Sequence, residues 1–271
     1  MKLGLIGRTL QHSCSPEIHQ KIFRKLGMED STYELLELEP EELGRKLEQF
    51  RDEGYAGINV TIPYKCDVIP FLKGISEEAE SIGAVNTIQF RPDGMYGYNT
   101  DYTGFGRALL GMGADPEGRQ CAVLGTGGAA RAVVQFLADH HPASLVAVSR
   151  HKEGQDEFRA FLEKNGGRLI SYEELRGQSG DILVNCTPVG MYPHMGKSAV
   201  PEEVIRKYRA AMDLIYNPKE TEFLRIAAEN GLKTRNGMVM LTAQAVAAEE
   251  IWLGQNIPDE VLQQIAEEME A

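Results

Sequence analysis

The stretch Val123-Leu124-Gly125-Thr126-Gly127-Gly128-Ala129-Ala130-Arg131-Ala132 decides the fold. Cys121 to Leu124 reads as a buried strand and Ala129 to Ala138 as an apolar helix, so the glycines lie where a strand turns into a helix. Gly125, Gly127 and Ala130 occupy the G-x-G-x-x-G/A positions. The first glycine permits the tight turn, the second admits backbone close to a pyrophosphate, and the small third residue lets helix and strand pack. The helix amino terminus then offers N–H groups without helical acceptors to an anion. Leu145 to Ser149 supplies the second strand that a dinucleotide-binding unit needs.

A site preferring NAD usually places an acid at the end of that second strand to hold the ribose 2′-hydroxyl. Here the chain has Ser149-Arg150-His151-Lys152, with cations where a 2′-phosphate would need them. The expected cofactor is therefore NADP (NADPH).

Outward from the loop, strands are expected at Asp181 to Cys186 and Ala210 to Leu214. Upstream, Leu3 to Ile6, Tyr33 to Leu38 and Gly57 to Ile62 read as strands, alternating with helices at Pro16 to Leu26 and Pro40 to Glu53. That alternation predicts a mainly parallel sheet. Val85 to Phe90 and Gly94 to Tyr98 flank a hairpin turn at Arg91-Pro92-Asp93. Ser76-Glu77-Glu78-Ala79 reads as a helix start, Tyr102 to Met112 as helical, and Asp115-Pro116-Glu117-Gly118 as a turn cluster. Met238 to Leu253 and Pro258 to Met269 are expected to close the chain as helices.

With 42% hydrophobic and 25% charged residues in 271, the composition is that of a soluble globular enzyme. The formal charge is −12, from 28 basic and 40 acidic residues, and no basic patch stands out, so neither nucleic acid nor a membrane surface is expected as a partner. Residues 1–100 hold 11 basic and 16 acidic side chains, residues 101–237 hold 17 of each, and residues 238–271 hold none and 7. Cys14, Cys66, Cys121 and Cys186 form no CxxC pair, which argues against a disulfide framework or structural zinc. Cys14 and Cys66 are expected as small buried thiols. The histidines show no HExxH spacing, so no metal is assigned. A signal-peptide core and a membrane-length apolar run are both missing, and a reducing, cytoplasmic setting is expected.

Four further stretches carry polar groups that packing does not require. His12-Ser13-Cys14-Ser15-Pro16 places two hydroxyls at the mouth of a helix, and Asn59-Val60-Thr61-Ile62-Pro63-Tyr64-Lys65 ends a strand with a lysine just beyond. Gly83-Ala84-Val85-Asn86-Thr87 and Gly97-Tyr98-Asn99-Thr100-Asp101 each put an amide beside a strand end, where ligands sit in α/β sheets. Taken singly, Lys65 would be a surface lysine, and Ser15 and Asp101 ordinary helix caps.

Taken together with Leu5-Ile6-Gly7, Gly125-x-Gly127-Gly128-Ala129-Ala130-Arg131, Asp213-x-x-Tyr216-x-Pro218 and Met240-Leu241-x-x-Gln244-Ala245, these stretches resemble the shikimate dehydrogenase family, in family order across nearly the whole chain. The resemblance implies reversible, NADP-dependent reduction of 3-dehydroshikimate to shikimate in aromatic amino acid biosynthesis. It implies Lys65 and Asp101 as the catalytic pair, and Ser13, Ser15, Asn59, Thr61, Asn86, Asp101, Tyr216 and Gln244 as substrate contacts. For the cofactor it implies Gly125, Thr126, Gly127, Gly128, Ala129, Ser149, Arg150, Lys152, Thr187, Leu214 and Gly237. The chemistry suits the residue types, because reducing a ketone develops negative charge on oxygen that an ammonium can stabilise and protonate.

Thr9 stands where the family usually has Pro, Ser149 where Asn is common, and Gly154 where relatives often have a second Arg. The phosphate clamp then falls mainly to Arg150, with Lys152 assisting. The implied architecture is α/β in two domains: a substrate domain of residues 1–100 completed by the helices of 238–271, and a Rossmann-type NADP-binding domain of residues 101–237. A quinate/shikimate or aminoshikimate dehydrogenase paralogue, or a non-catalytic NADP sensor, would share much of this pattern. Oligomeric state is not legible in the sequence.

Overall fold

In the computed structural model, which describes residues 1–11 and 13–270, the chain divides into two units: Met1–Thr103 with Thr242–Met269, and Gly104–Leu241 with Glu270. His12 of the serine motif lies outside the described residues. The first unit contains β1 (Lys2–Gly7), α1 (Ser15–Leu26), β2 (Thr32–Glu37), α2 (Leu43–Asp52), β3 (Gly57–Val60), β4 (Gly74–Ile75), α3 (Glu77–Ile82), β5 (Thr87–Arg91) and β6 (Gly94–Tyr98). The chain leaves it within α4 (Thr100–Gly111). The second unit runs through β7 (Gln120–Leu124), α5 (Gly128–Asp139), β8 (Ser144–Ser149), α6 (Asp156–Lys164), β9 (Arg168–Ser171) and α7 (Tyr172–Arg176). It continues through β10 (Ile182–Asn185), α8 (Glu202–Ile205), β11 (Ala210–Asp213), α9 (Glu222–Glu229) and β12 (Lys233–Arg235). The chain returns within α10 (Gly237–Leu253) and ends in α11 (Asp259–Glu270).

The first sheet has the order β2-β1-β3-β5-β6-β4. It is mainly parallel, as expected, with β1 parallel to β2 and β3 and β4 parallel to β6, but β5 is antiparallel to both β3 and β6. The cause is the hairpin, whose two-residue loop Pro92-Asp93 reverses the chain between the paired residues Arg91 and Gly94. Ile6 and Ile58 pack with Leu43, Leu47 and Phe50 from the α2 region, while Leu3 and Phe23 pack with Ala248 and Trp252 of α10. Gly57 makes that second contact possible. A Cβ there would lie 1.9 Å from the Trp252 Nε1, which instead reaches over the strand to donate to the Ile88 carbonyl at 3.0 Å.

The second sheet is parallel throughout, in the order β12-β11-β10-β7-β8-β9. Its first strand in the chain, β7, lies at the centre beside β10. The strand order reverses between them, so the loops after β7 and β10 open side by side at the carboxyl ends, where α/β sheets of this kind bind ligands. Val146, Val148, Leu183, Phe223 and Leu224 belong to the core of this unit.

Candidate active site

β3 delivers Asn59 and runs into a tight turn at Thr61 to Lys65. Tyr64 anchors the turn from below, fully buried and donating its hydroxyl to the Leu38 carbonyl. The Val85 amide donates to the Lys65 carbonyl at 2.8 Å, tying the lysine's backbone to the strand end beside it. With its backbone held, Lys65 extends Nζ to within 2.6 Å of Asp101 Oδ2. Asp101 lies in the first turn of α4, where the helix end favours a carboxylate. It is not the cap; the Asn99 side chain accepts from the Tyr102 amide at 3.4 Å and donates to the Ala84 carbonyl at 2.9 Å. The two charged side chains keep 26% and 13% exposure, enough to meet a solute and little enough to hold one geometry.

Behind this pair Asn86 is buried and serves as a junction. Its Oδ1 accepts from the Thr100 amide at 2.7 Å, the Thr87 hydroxyl at 3.0 Å and the Thr100 hydroxyl at 3.2 Å. Its Nδ2 donates to Gln244 Oε1 at 3.2 Å, which brings α10 into the site. Asn59 donates to the Thr87 hydroxyl at 3.0 Å and accepts from the Tyr33 hydroxyl at 2.7 Å. Ser13 and Ser15 lie at the start of α1. The cap position is Cys14, which supplies no side-chain cap, and the Ser13 hydroxyl accepts from the Ser15 amide at 3.2 Å.

Of the substrate and catalytic positions named from sequence, Ser13, Ser15, Asn59, Thr61, Lys65, Asn86, Asp101 and Gln244 belong to the first unit. Asn59, Asn86 and Gln244 fall in one hydrogen-bonded system, and Lys65 and Asp101 touch. Tyr216 belongs to the second unit, after β11. The system also contains Tyr33, Thr87 and Thr100, which sequence reading left out. Thr87 and Thr100 stand inside the quoted motifs, so their signal was present; Tyr33 had none beyond a strand. Cys66 is exposed, which corrects the expectation of a buried thiol, because it follows Lys65 on the solvent side of the turn.

In the second unit Gly125 takes φ +102°, the left-handed region that favours glycine, with Thr187 and Cys186 of the neighbouring loop packed close behind it. Gly127 and Gly128 open α5 exposed, and a Cβ on either would meet no atom within 4 Å. Ser149 is buried and turned back, its hydroxyl donating to the His151 carbonyl at 2.8 Å. Arg150 and Thr187 line a cavity of about 480 Å³ with Ser171, Tyr172 and Val189. Lys152 instead pairs with Glu174 at 3.0 Å. The Ser171 amide, Lys152 and the Ser171 hydroxyl together hold the Glu174 carboxyl down at about 2. Gly237 meets Leu214 backbone to backbone: a Cβ there would fall 2.1 Å from the Leu214 carbonyl oxygen. Among the described residues no group of three or more His, Cys, Asp or Glu could hold a metal ion, and no helix is long and apolar enough to cross a membrane.

Residues 5–88 match the family described as the shikimate dehydrogenase substrate binding domain. A shikimate dehydrogenase (NADP(+)) of Clostridium perfringens is 45% identical over 271 residues, 99% of this chain and 98% of its own. Among solved structures, a chorismate mutase/shikimate 5-dehydrogenase fusion protein from Clostridium acetobutylicum superposes with a TM-score of 0.93 at 45% identity, covering 99% of this chain and 97% of that one. The Thermus thermophilus shikimate 5-dehydrogenase in complex with NADP(H) and shikimate gives 0.86 at 32% identity, with 99% of each chain covered.

Proposed function

The chain belongs to the shikimate dehydrogenase family, and from that premise we infer that it catalyses the reversible, NADP-dependent reduction of 3-dehydroshikimate to shikimate, a step of aromatic amino acid biosynthesis. The observation that carries the assignment of roles is the Lys65–Asp101 contact of 2.6 Å at the edge of the Asn59, Asn86 and Gln244 system.

NADPH, when bound, supplies the hydride to the carbonyl carbon. The carbonyl oxygen then gathers negative charge. Lys65 is the member of the catalytic pair with N–H groups to spend: one is engaged by Asp101, and the others are left to stabilise the oxygen and to give it a proton. Asp101 keeps the ammonium aimed and, in the reverse direction, helps it accept the proton back. Ser13 and Ser15 hold the substrate carboxylate, while Thr61, Asn59, Asn86, Gln244 and Tyr216 meet the ring hydroxyls or the carboxylate. The first unit is thus the substrate domain and the second the NADP domain.

The residues fit this cofactor. Gly127 and Gly128 leave room against the first turn of α5 for a pyrophosphate, and Arg150 stands at a cavity large enough for the adenosine end. Gly125, Thr126, Ala129 and Thr187 frame the loop, and Ser149 shapes the turn that presents Arg150. Leu214 and Gly237, packed backbone to backbone, complete the proposed cofactor residues. With Lys152 taken up by Glu174, Arg150 is the principal cation for the 2′-phosphate. The unpaired thiols Cys66, Cys121 and Cys186, one of them exposed, suit a reducing compartment, and we place the protein in the cytoplasm.

Purified protein should convert NADP to NADPH with shikimate, and kcat/KM should be higher for shikimate than for quinate. Lys65→Ala should lower kcat by roughly 10²- to 10⁴-fold while leaving the affinity for NADP near that of the wild type. Undiminished turnover in that variant would remove Lys65 from the mechanism.

A further inference from the structure

Beneath the serine loop lies a polar assembly that the reaction does not account for. His19 of α1 and Glu249 of α10 are 1% and 0% exposed, with Nδ1 and Oε1 2.7 Å apart. The other carboxylate oxygen, Glu249 Oε2, is buried with no hydrogen-bond partner among the described residues. A pair of hydrophobic side chains would fill this space at lower cost in desolvation, so its presence asks for a role beyond packing. The His19 ring lies flat against the Tyr33 ring, with centroids 3.9 Å apart and planes 12° from parallel. Tyr33 sits on β2, an edge strand with most of its side chains exposed, yet this one turns inward.

The Tyr33 hydroxyl donates to Asn59 Oδ1 at 2.7 Å and lies beside the Ser15 side chain. Burial, only partly offset by the Ser15 hydroxyl and reinforced by the Glu249 carboxylate, pushes the phenol far above its ordinary range, so it remains a donor. A donor on Asn59 Oδ1 decides which way the amide faces: the NH₂ group must point toward the Thr87 hydroxyl and the Asn86 carbonyl, at 3.0 and 3.3 Å. One hydroxyl is therefore bonded to the amide end of the substrate site and lies near its serine end.

We propose that Tyr33 is a positioning residue for substrate, fixing Asn59 and Ser15 in register with each other, and that the stacked His19, held by Glu249, clamps its ring in place. This rests on the substrate assignment made above. Asn59 and Ser15 meet the ligand; Tyr33 acts through them.

Tyr33→Phe keeps the stack on His19 and deletes only the hydroxyl. The expected result is a KM for shikimate raised about tenfold, the effect of one lost hydrogen bond, with kcat, the KM for NADP and the thermal midpoint close to wild type. In a cycle with Ser15→Ala the double variant should lose less than the product of the two single effects, because the groups share one contact. An unchanged KM for shikimate, independent effects in the cycle, or a rise in both KM values with a lowered thermal midpoint or failure to fold would overturn the proposal and leave Tyr33 a packing residue. Wild-type protein assayed alongside separates the two readings: no shikimate turnover in the wild type rejects the substrate assignment itself, whereas wild-type turnover with an indifferent Tyr33→Phe rejects the positioning role alone.

Discussion

Asp213, at the end of β11, has no exposed surface, and its carboxylate accepts from the Thr221 hydroxyl at 2.6 Å, the Asn185 amide at 3.0 Å and the Ile215 backbone at 3.1 Å. Burial outweighs those three donors and pushes its pKa up to about 6. A carboxyl that holds its proton more tightly when folded favours the fold at low pH. That contribution is lost as pH rises from about 4 to about 6, and a shift of about two units corresponds to about 3 kcal/mol. Asp213→Asn keeps an acceptor for Asn185 and Ile215 but cannot ionise. Urea unfolding should therefore show wild-type stability falling relative to the variant by about 2–3 kcal/mol between pH 4 and 7; parallel pH profiles would refute the argument. Asp213 was legible only as part of a motif, since no sequence pattern tells a buried carboxylate from an exposed one. Lys65 and Asp101 were more readable, because the turn and the helix start that bring them together stand in the same short motifs. Tyr33 was hidden by its ordinary strand context: only the fold shows which face of β2 looks toward Asn59.

At the scale of elements, two glycines separate architecture from ligand space. Gly57 on β3 leaves room for Trp252, and Gly127 at the start of α5 leaves room for nothing belonging to the protein. Gly57→Ala should lower stability by about 1–3 kcal/mol through overpacking, visible as a lower thermal midpoint. Gly127→Ala should leave the midpoint unchanged and raise the KM for NADP, since a methyl group would stand where the pyrophosphate approaches. Equal thermal effects in the two variants would contradict this division. The strand, loop and helix around Gly125 were readable because their apolar runs are long and bounded by glycine. Strands β4, β9 and β12 were not: Gly74–Ile75, Arg168–Ser171 and Lys233–Arg235 are two to four residues long, all three are edge strands, and the latter two begin on a charged residue and look like loops. The antiparallel pairing of β3 with β5 was equally silent, being set by the hairpin's place in the sheet.

Over the whole molecule, the charge of −12 falls on residues 1–100 and 238–271, while residues 101–237 are neutral. A neutral unit accepts an anionic cofactor without long-range repulsion, and the acidic unit must hold a carboxylate substrate with local donors. Hydrogen exchange should show this division of labour: NADP should slow exchange at residues 125–131 of the second unit, and shikimate at residues 13–15 and 59–65 of the first. Protection by shikimate confined to the second unit would reverse the assignment of the domains. The packing of α10 against the first sheet also has an optical consequence. Trp252 is the chain's single tryptophan, buried at Gly57 with its indole N–H fixed on Ile88. Excited selectively, its fluorescence reports on the first unit alone, so a red shift on denaturation times the loosening of that unit while the tyrosines of the other stay silent, without any label being introduced.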